Sequence, residues 1–542
     1  MSEKPIYLAA FDSEDDGKGN PFLFCVVHEK GTYHCKTGNQ CLRFFERLRD
    51  KVYPLKLQIW ALNLEYDAVN LWGDRISECS LKFGRTALYG VKWEKIDFRD
   101  TLRHIPASAA KLGELVGLPK MHRDNSIAYC MRDAQIVYRA AKFIRNSYSE
   151  FEVNAKLTLP ATSYKIWLDK FWSKNVFAPP DEIIESAQHA YYGGRTEAFS
   201  LGRFHNVKML DVASMYPWAM TAGKFPIPWS NFKRISPKDE IKPLGLYRVR
   251  VKSDIYPGIL PHRSKSGLDF PIGTWEGWYI GEELLAAKEL GVSIKVLSGY
   301  TFVEEADPFT DYIFRMFALK QSSRGPAREM YKLLGNSLYG KFGQKGENVR
   351  AMPLGEFLDR KGKRPENYRI WLGLAIWTET KKPPPWGNFI WAAIVTARAR
   401  VKLRLEMRNL MLNGCRILYC DTDSILYSGD VSSYSTKARA IGDFELRGEY
   451  SECFLVGKKE YGLCTSSGIW EFHCKGVPYS EREKYLTTGK ARYSLPYKIR
   501  GAARSGEKAN VWREVEKERK SNLGLKRGLG PDNSLLPLRV SE

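Results

Sequence analysis

The sequence predicts α/β and α+β domains strung along one chain, and three observations lead there. At 542 residues the chain exceeds what one hydrophobic core usually supports, so two to four domains are expected. Short apolar runs alternate with helical stretches from residue 6 to about 145, the pattern of a mixed α/β unit. At 157–163 the run Leu-Thr-Leu-Pro-Ala-Thr-Ser breaks that rhythm, and a boundary is expected there.

In chain order, Tyr7-Leu-Ala-Ala-Phe11 reads as a buried strand ending in Asp12-Ser13-Glu14. Strand alternation places Asp12 and Glu14 on one face. A second apolar run, 57–62, leads into Asn63, Tyr66 and Asp67, and the helical segment after Ser126 sets Tyr129 and Asp133 four apart on one face. Converging carboxylates repel unless they hold a cation. Two hard cations bridged by them can ionise water and stabilise the leaving oxygen in phosphodiester hydrolysis. Taken singly, an Asp-x-Glu at a strand end is more often a solvated turn.

Further on, Lys208-Met-Leu-Asp211 reads as a strand delivering Asp211, followed by a turn into a helix at Tyr216-Pro217. Residues 416–427 read as two apolar strands folded over the tip Asp421-Thr-Asp423, the alternative being an ordinary aspartate turn. Residues 326–340 can be laid on a helix at about 100° per residue. With Lys332 at zero, Arg328 falls near about −40°, Asn336 near about +40° and Tyr339 near about −20°, whereas Met330, Leu333, Leu334 and Leu338 fall at roughly 100–240°. One face is cationic and aromatic and the other is core. The first suits a triphosphate with a base pair stacked on it, and a solvated face is the alternative. Residues 379–386, with three consecutive prolines, read as an exposed extended segment. The tail after Arg500, charged and carrying Gly524 and Gly528, is expected to be partly disordered.

Lys and Arg exceed Asp and Glu by 84 − 62 = 22, which suits a polyanionic partner, nucleic acid first, and equally a soluble protein with a merely basic surface. The ten cysteines contain no C-x-x-C pair, which argues against a zinc ribbon and for reduced thiols in a cytosolic compartment. The polar start Met-Ser-Glu-Lys-Pro, and the absence of about 18 uninterrupted apolar residues, argue against a signal peptide or membrane span. Of the aromatics, 13% of the chain, most are expected in cores and some as base-stacking platforms.

Taken together, Asp12-x-Glu14, Asn63-x-x-Tyr66-Asp67 and Tyr129-x-x-x-Asp133 resemble the three exonuclease motifs of the DEDDy proofreading superfamily. The resemblance implies Asp12, Glu14, Asp67 and Asp133 as metal ligands, Tyr129 orienting the attacking water, and Asn63 and Tyr66 touching a single-stranded end. Thr101-Leu102 resembles a further strand-contacting element. The later segments, Asp211-x-x-Ser214-x-Tyr216-Pro217, Lys332-x-x-x-Asn336-Ser337-x-Tyr339-Gly340 and Tyr419-x-Asp421-Thr422-Asp423-Ser424, resemble motifs A, B and C of family B DNA polymerases in the right order. This implies Asp211, Asp423 and Asp421 as catalytic acids and metal ligands with the Val212 carbonyl. It also implies Lys320, Arg328 and Lys332 at the phosphates, and Asn336, Tyr339 and Gly340 at the incoming nucleotide. Tyr216 would lie under the sugar and exclude a 2′-hydroxyl.

Three shorter elements resemble DNA contacts of the same family: Tyr191-x-Gly193-Gly194 on the template, Thr396-x-x-x-Arg400 on the primer side, and Lys459-x-Tyr461 after motif C. The modest length, Lys341-Phe342 directly after motif B, and residues 263–270 resemble the compact protein-primed polymerases of tectivirus-like phages. The likeness covers essentially the whole chain. It implies a ribonuclease H-like exonuclease domain at 1–160 followed by a right-hand polymerase. A first palm segment with a linker would occupy 161–310, including a first insertion at about 245–300. Fingers at 311–343, a second insertion at 344–386, a second palm segment at 387–454, and a thumb with basic tail at 455–542 would follow. The implied activity is DNA-directed DNA polymerisation with 3′→5′ exonuclease, using two Mg2+ (or Mn2+) ions per site. The implied partners are primer-template DNA, dNTPs and a terminal protein primer, for a monomer in the cytoplasm, the host's if the source is viral. A nucleic-acid-primed relative, a nuclease with a non-catalytic DNA-clamp half, and a non-enzymatic DNA-packaging protein are the rival readings.

Overall fold

The structure is a computed structural model that describes all residues except 1–4, 85–86, 173, 175, 265–266, 361–363, 432–433, 520–526, 531 and 542. The polar start, Lys265-Ser266 within the 263–270 element, and Lys520 and Gly524 of the tail lie outside the described residues.

The N-terminal unit comprises β1 (Ile6–Asp15), β2 (Pro21–His28), β3 (Gly31–Cys35), α1 (Gly38–Val52), β4 (Lys56–Ala61), α2 (Leu64–Trp72), β5 (Ser80–Phe83), β6 (Leu88–Trp93), β7 (Ile96–Asp100), α3 (Ala109–Leu115) and α4 (Ile127–Ser149). Its seven strands run in the order β3-β2-β1-β4-β7-β6-β5, with β1, β4 and β7 parallel and the outer pairings antiparallel. Both faces of β1 are covered, so its apolar run is continuous rather than alternating. Leu8 and Ala10 share a core with Ile136, Val137, Ala140 and Ile144 of α4, whereas Tyr7, Ala9 and Phe11 pack with Leu42, Phe45 and Leu71 of α1 and α2. Each such large aliphatic side chain contributes about 1.5–3 kcal/mol of burial.

The break at 157–163 is the start of a helix, Leu159–Lys170, with Thr158 as its N-cap and a proline in its first turn. Beyond it stands a second seven-stranded sheet, antiparallel throughout. Its order is Trp470–Cys474, Glu460–Cys464, Phe444–Gly457, Gly202–Val212, Ser424–Ser428, Arg416–Asp421 and Thr196–Ala198. Helix Phe389–Leu412 backs this sheet, and the burial of every residue from Phe389 to Arg400 accounts for its unbroken apolar start.

The interval 245–300 forms most of a five-stranded sheet, but the outer strands come from elsewhere, Phe232–Ile235 on one edge and Arg539–Val540 on the other. The unit is therefore wider than expected. It also recruits the tail, for which composition predicts partial disorder: described residues after Arg500 include strand Trp512–Glu518, paired with Lys490–Pro496, and the strand Arg539–Val540. Interval 344–386 folds as a three-stranded sheet, Glu347–Pro353, Leu374–Thr380 and Arg369–Trp371, whose Val349, Trp371, Leu374 and Ile376 are buried in the core of the N-terminal unit. The proline run that follows is an irregular connection, as expected, but only Pro385 is exposed and Pro383, Pro384 and Trp386 are half-buried. All ten cysteines are buried and unpaired, and among the described residues no helix is long and apolar enough to cross a membrane.

Candidate active sites

Two carboxylate centres stand on different sheets. In the first, the even-numbered face of β1 carries Asp12 and Glu14 toward α4, whose first turns carry Tyr129 and Asp133. The Ser126 hydroxyl caps that helix by accepting from the Tyr129 N–H at 3.1 Å. Oxygens of Asp12, Glu14 and Asp133 all lie within 4.8 Å of one another. Burial, then the charges of Asp67, Asp133 and Glu14, push Asp12 well above the usual carboxylate range. Glu14 is also raised, by burial first. Asp133 Oδ1 is buried with no hydrogen-bond partner. Three close, desolvated carboxylates with an orphaned oxygen fit a divalent cation with oxygen ligands.

Asp67 is one expected ligand that the trio does not include. It lies in the first turn of α2, and its Oδ1 accepts from the Ser13 hydroxyl at 2.6 Å, on the odd-numbered side of β1. Four acids thus divide into three plus one, with Asp67 close enough to exert the largest charge effect on Asp12. Asn63 adopts the left-handed conformation (φ 64°) before α2, and its N–H donates to Asp100 Oδ1 at 3.0 Å. Tyr66 is half-buried beside Asp15 and Trp512. Thr101 is wholly buried and donates to the Ala61 carbonyl, so it is a brace between strands and not a strand contact.

Two cations escaped sequence reasoning. Lys120 Nζ bonds Asp133 Oδ2 and lies 4.7 Å from the Tyr129 ring centroid, and Arg123 reaches Glu14 Oε2 at 3.3 Å. The signal was present as a basic stretch, Lys120-Met-His-Arg123, just before the acid-bearing helix.

The second centre forms at the end of strand Gly202–Val212. Its register pairs Asp211 with Ser424, and the Val212 N–H donates to the Asp423 carbonyl at 2.8 Å, which sets Asp211 beside Asp423. Burial and then the Asp211 charge push Asp423 up to about 6, and Asp211 is raised by burial despite Arg447, whose Nη1 lies 3.1 Å from Asp211 Oδ2. Ser214 (φ 58°), Thr422 (φ 60°) and Lys459 (φ 61°) all hold left-handed backbones around this centre. Such strain persists only where surrounding bonds enforce it. Here the Thr422 N–H donates to the carbonyl of the buried Arg195 at 2.6 Å.

Asp421 differs from the other two acids. Its oxygens accept from Thr196 (2.8 Å), Tyr419 (3.2 Å) and Lys459 Nζ, and among the described residues it does not join Asp211 and Asp423 in a close three-carboxylate group. Asp421 is thus held by protein donors and stands apart from the Asp211–Asp423 pair.

Over this pair, Tyr216 stacks on Tyr339 with ring centroids 4.2 Å apart and planes 27° from parallel. A Cβ at Gly194 would come within 3.1 Å of Thr422 and 3.2 Å of the Tyr216 hydroxyl, so a glycine lets this linker pass between the two acid-bearing turns. Lys320, Lys332 and Asn336 line one crevice with Ser214 and Pro217. Burial, then Arg328 and Lys332, hold Lys320 below its ordinary value. Arg328 is exposed and donates to the Lys320 carbonyl. The helix ends at Ser337 and a separate turn, Tyr339–Phe342, carries Tyr339 and the exposed Gly340, so one helix does not run through the segment. Leu333 is only half-buried. Tyr331 takes a core position in its place, with its hydroxyl bonded to Glu150.

Two expected DNA contacts are corrected. Thr396 is 2% exposed, and its hydroxyl donates to the carbonyls of Ala392 and Ala393. Arg400 forms a bidentate pair with Glu283 at 2.7–2.8 Å, each side chain 1% exposed, and donates to the carbonyls of Tyr192 and Gly193. Helix Phe389–Leu412 is buried on all sides here, so neither residue can meet a strand, and Arg400 instead fixes the linker 191–194. Tyr191 is half-buried near Phe389, and Gly193 is exposed. Tyr461 is half-buried between Tyr419 and His473, with Lys459 turned onto Asp421.

A family model described as DNA polymerase type B, organellar and viral, matches residues 116–358. A probable DNA polymerase of Neurospora intermedia is 28% identical over 68% of this chain and 40% of its own length. The DNA-directed DNA polymerase of Enterobacteria phage PRD1 is 25% identical over 71% and 70%. The chain spans only 32–40% of the length of the first curated relatives it matches. Among solved structures, phi29 DNA polymerase complexed with primer-template DNA and incoming nucleotide superposes with a TM-score of 0.74 at 16% identity, covering 96% of this chain and 99% of that one. The fold is therefore an exonuclease-type α/β domain followed by a right-hand palm, fingers and thumb. Residues 116–358, which carry Tyr129, Asp133 and Asp211, are thus similar to organellar and viral type B DNA polymerases, and the chain as a whole shares the fold of the phi29 enzyme.

Proposed function

We propose that the chain is a DNA-directed DNA polymerase that extends a primer 3′-hydroxyl with dNTPs and removes misplaced 3′ ends at a separate 3′→5′ exonuclease centre. The observation that carries this reading is the pair Asp211–Asp423, locked side by side through Val212 and roofed by the Tyr216–Tyr339 stack, on a chain with a second carboxylate cluster. In extension, the primer 3′-oxygen bonds to the α-phosphorus of the dNTP while the bond to pyrophosphate breaks. In degradation, water attacks the terminal phosphodiester and a nucleoside monophosphate leaves. Divalent cations, magnesium with manganese as substitute, would supply charge neutralisation and activation of the attacking oxygen when held by Asp211, Asp423 and the Val212 carbonyl, or by Asp12, Glu14, Asp133 and Asp67.

The remaining work belongs to side chains. Lys320, Lys332 and Arg328 present positive charge to the triphosphate, Asn336 and Gly340 border it, and Tyr216 occupies the space a 2′-hydroxyl would need. At the nuclease centre Tyr129 and Lys120 stand over Asp133, suited to orienting water, and Asn63 and Tyr66 face the incoming single strand. We read residues 1–160 as the exonuclease, 161–310 and 387–454 as palm, 311–343 as fingers, 344–386 as an insertion, and 455–542 as thumb and tail. Linear-genome replication from a terminal protein, in the cytoplasm and as a monomer, is the accompanying proposal; it is supported by the PRD1 and phi29 likenesses.

The test is extension of a labelled primer on a longer template with magnesium. The native chain should extend, and with dNTPs omitted it should shorten. Asp423→Ala should only shorten, and Asp12→Ala with Asp67→Ala should only extend. A native chain that shortens but never extends would replace this reading with the nuclease-clamp one.

A further inference from the structure

The thumb returns to the N-terminal unit at the helix that carries Asp67. Helix Ile499–Ser505, which connects the strands Lys490–Pro496 and Trp512–Glu518, buries Ile499, Ala502 and Ala503 together with Ala509 in the core on the α1 side of the N-terminal sheet. The Ile499 N–H donates to Glu65 Oε1 at 3.0 Å, and Glu65 is itself buried in α2. Just beyond, Asn510 is 3% exposed with a left-handed backbone (φ 64°), and its N–H donates to the Tyr497 carbonyl at 2.9 Å.

Its side chain begins a directed chain of hydrogen bonds. Asn510 Nδ2 donates to the Tyr66 carbonyl and to Asn70 Oδ1, both at 2.8 Å. Asn70 Nδ2 donates to Ser13 Oγ and to Asp15 Oδ2, both at 3.1 Å. The Ser13 hydroxyl donates to Asp67 Oδ1 at 2.6 Å. The direction has a chemical reason. A carboxylate only accepts, so Ser13 must spend its one proton on Asp67 and receive from Asn70. The Asn70 amide then presents its oxygen away from Ser13, and Asn510 is the donor that satisfies it. Without that donor a buried amide oxygen is left unpaired, a loss that α2 can escape only by shifting Asn70 and Asp67 with it. The Ser13, Asn70 and Asn510 links are buried, where such bonds reinforce one another.

We infer that Asn510 is a positioning residue of the nuclease centre: through Asn70 and Ser13 it fixes the Asp67 carboxylate, so that 3′-end hydrolysis needs the thumb helix docked. This rests on the exonuclease reading above. Outer partners of a metal ligand typically affect affinity or rate by roughly 10–100-fold.

The decisive variants are Asn510→Gly, which tolerates the left-handed backbone while losing the amide, and Asn510→Asp, which keeps the shape but has no N–H to donate. On a single-stranded oligonucleotide, kcat for shortening should fall about tenfold or more with KM within about twofold. Primer extension should be unchanged in both. By calorimetry on metal-free protein, the Mn2+-binding component that Asp12→Ala removes should weaken. Asn70→Ala should behave alike, and Asn70→Ala combined with Asn510→Gly should be no worse than the worse single variant. Native kcat and native Mn2+ affinity in both Asn510 variants would overturn the inference, as would losses that multiply in the double variant. If the native chain itself does not shorten DNA, the exonuclease reading falls and takes this inference with it.

Discussion

Replacing Asp423 by asparagine should stabilise the metal-free protein at neutral pH and have no such effect in acid. Asp423 is pushed up to about 6 by burial and by Asp211, from an ordinary value near 4. The folded state therefore prefers the protonated acid. Below about pH 3 the group is protonated in both folded and unfolded chains and contributes nothing. As pH rises through 4 to 6 the folded state must ionise an acid it disfavours, so stability is lost, and above about 6 the full penalty stands. A shift of two units corresponds to about 3 kcal/mol, or about 2 after allowing for partial solvent contact. Asparagine keeps the shape and removes the charge. Scanning calorimetry on EDTA-treated protein should show the palm transition raised on the order of 5 °C by Asp423→Asn at pH 7.5, with the difference vanishing below about pH 3. Mn2+ should raise the native transition and move the variant much less, because the cation offsets the same repulsion. A variant less stable than native at pH 7.5, or a difference independent of pH, would refute the electrostatic account of this pair.

Other outcomes follow from contacts described above. Arg400→Ala leaves Glu283 charged and buried, so it should cost roughly 3–5 kcal/mol in denaturant unfolding. Adding Glu283→Ala should recover some of that loss, and additive losses would mean the two are uncoupled. Tyr216→Ala should increase ribonucleotide incorporation in a competition assay. An unchanged sugar preference would remove Tyr216 from the steric role.

The acids were legible in the sequence because strand alternation and helical spacing are local. Asp12 with Glu14, Tyr129 with Asp133, and the Asp211 and Asp423 turns all stand at the ends of the elements their spacing predicts. What was not legible depends on which face a neighbour covers. The motif resemblance sets Asp67 beside Asp12, where its charge is felt most, but does not show that α2 brings it from the other side of β1 with Ser13 as its hydrogen-bond donor. Thr396 and Arg400 carry polar groups suited to DNA, yet their helix is covered all round, a fact held by Glu283 and Tyr192 more than a hundred positions away. Sheet membership at 232–235 rests on pairing with 299–302, and at 539–540 on pairing with 272–273, 267 positions away, and no window of sequence displays either. Asn510 had no signal of its own, since its role exists only once the thumb helix has docked.

The odd and even positions of β1 lead separate lives. Leu8, Ala10, Asp12 and Glu14 belong to α4, whereas Tyr7, Ala9, Phe11 and Ser13 belong to α1 and α2. Parity thus ties folding to chemistry. Inserting or deleting one residue ahead of Asp12 would exchange the two cores and, in the same stroke, trade the acids for Ser13 and its neighbours. A frame-shifted strand could not survive as a stable but inactive protein, because the error that misplaces the carboxylates also drives Phe11 and Tyr7 into the wrong interior. The hydrophobic cores act as an address for the carboxylates, checked each time the chain folds.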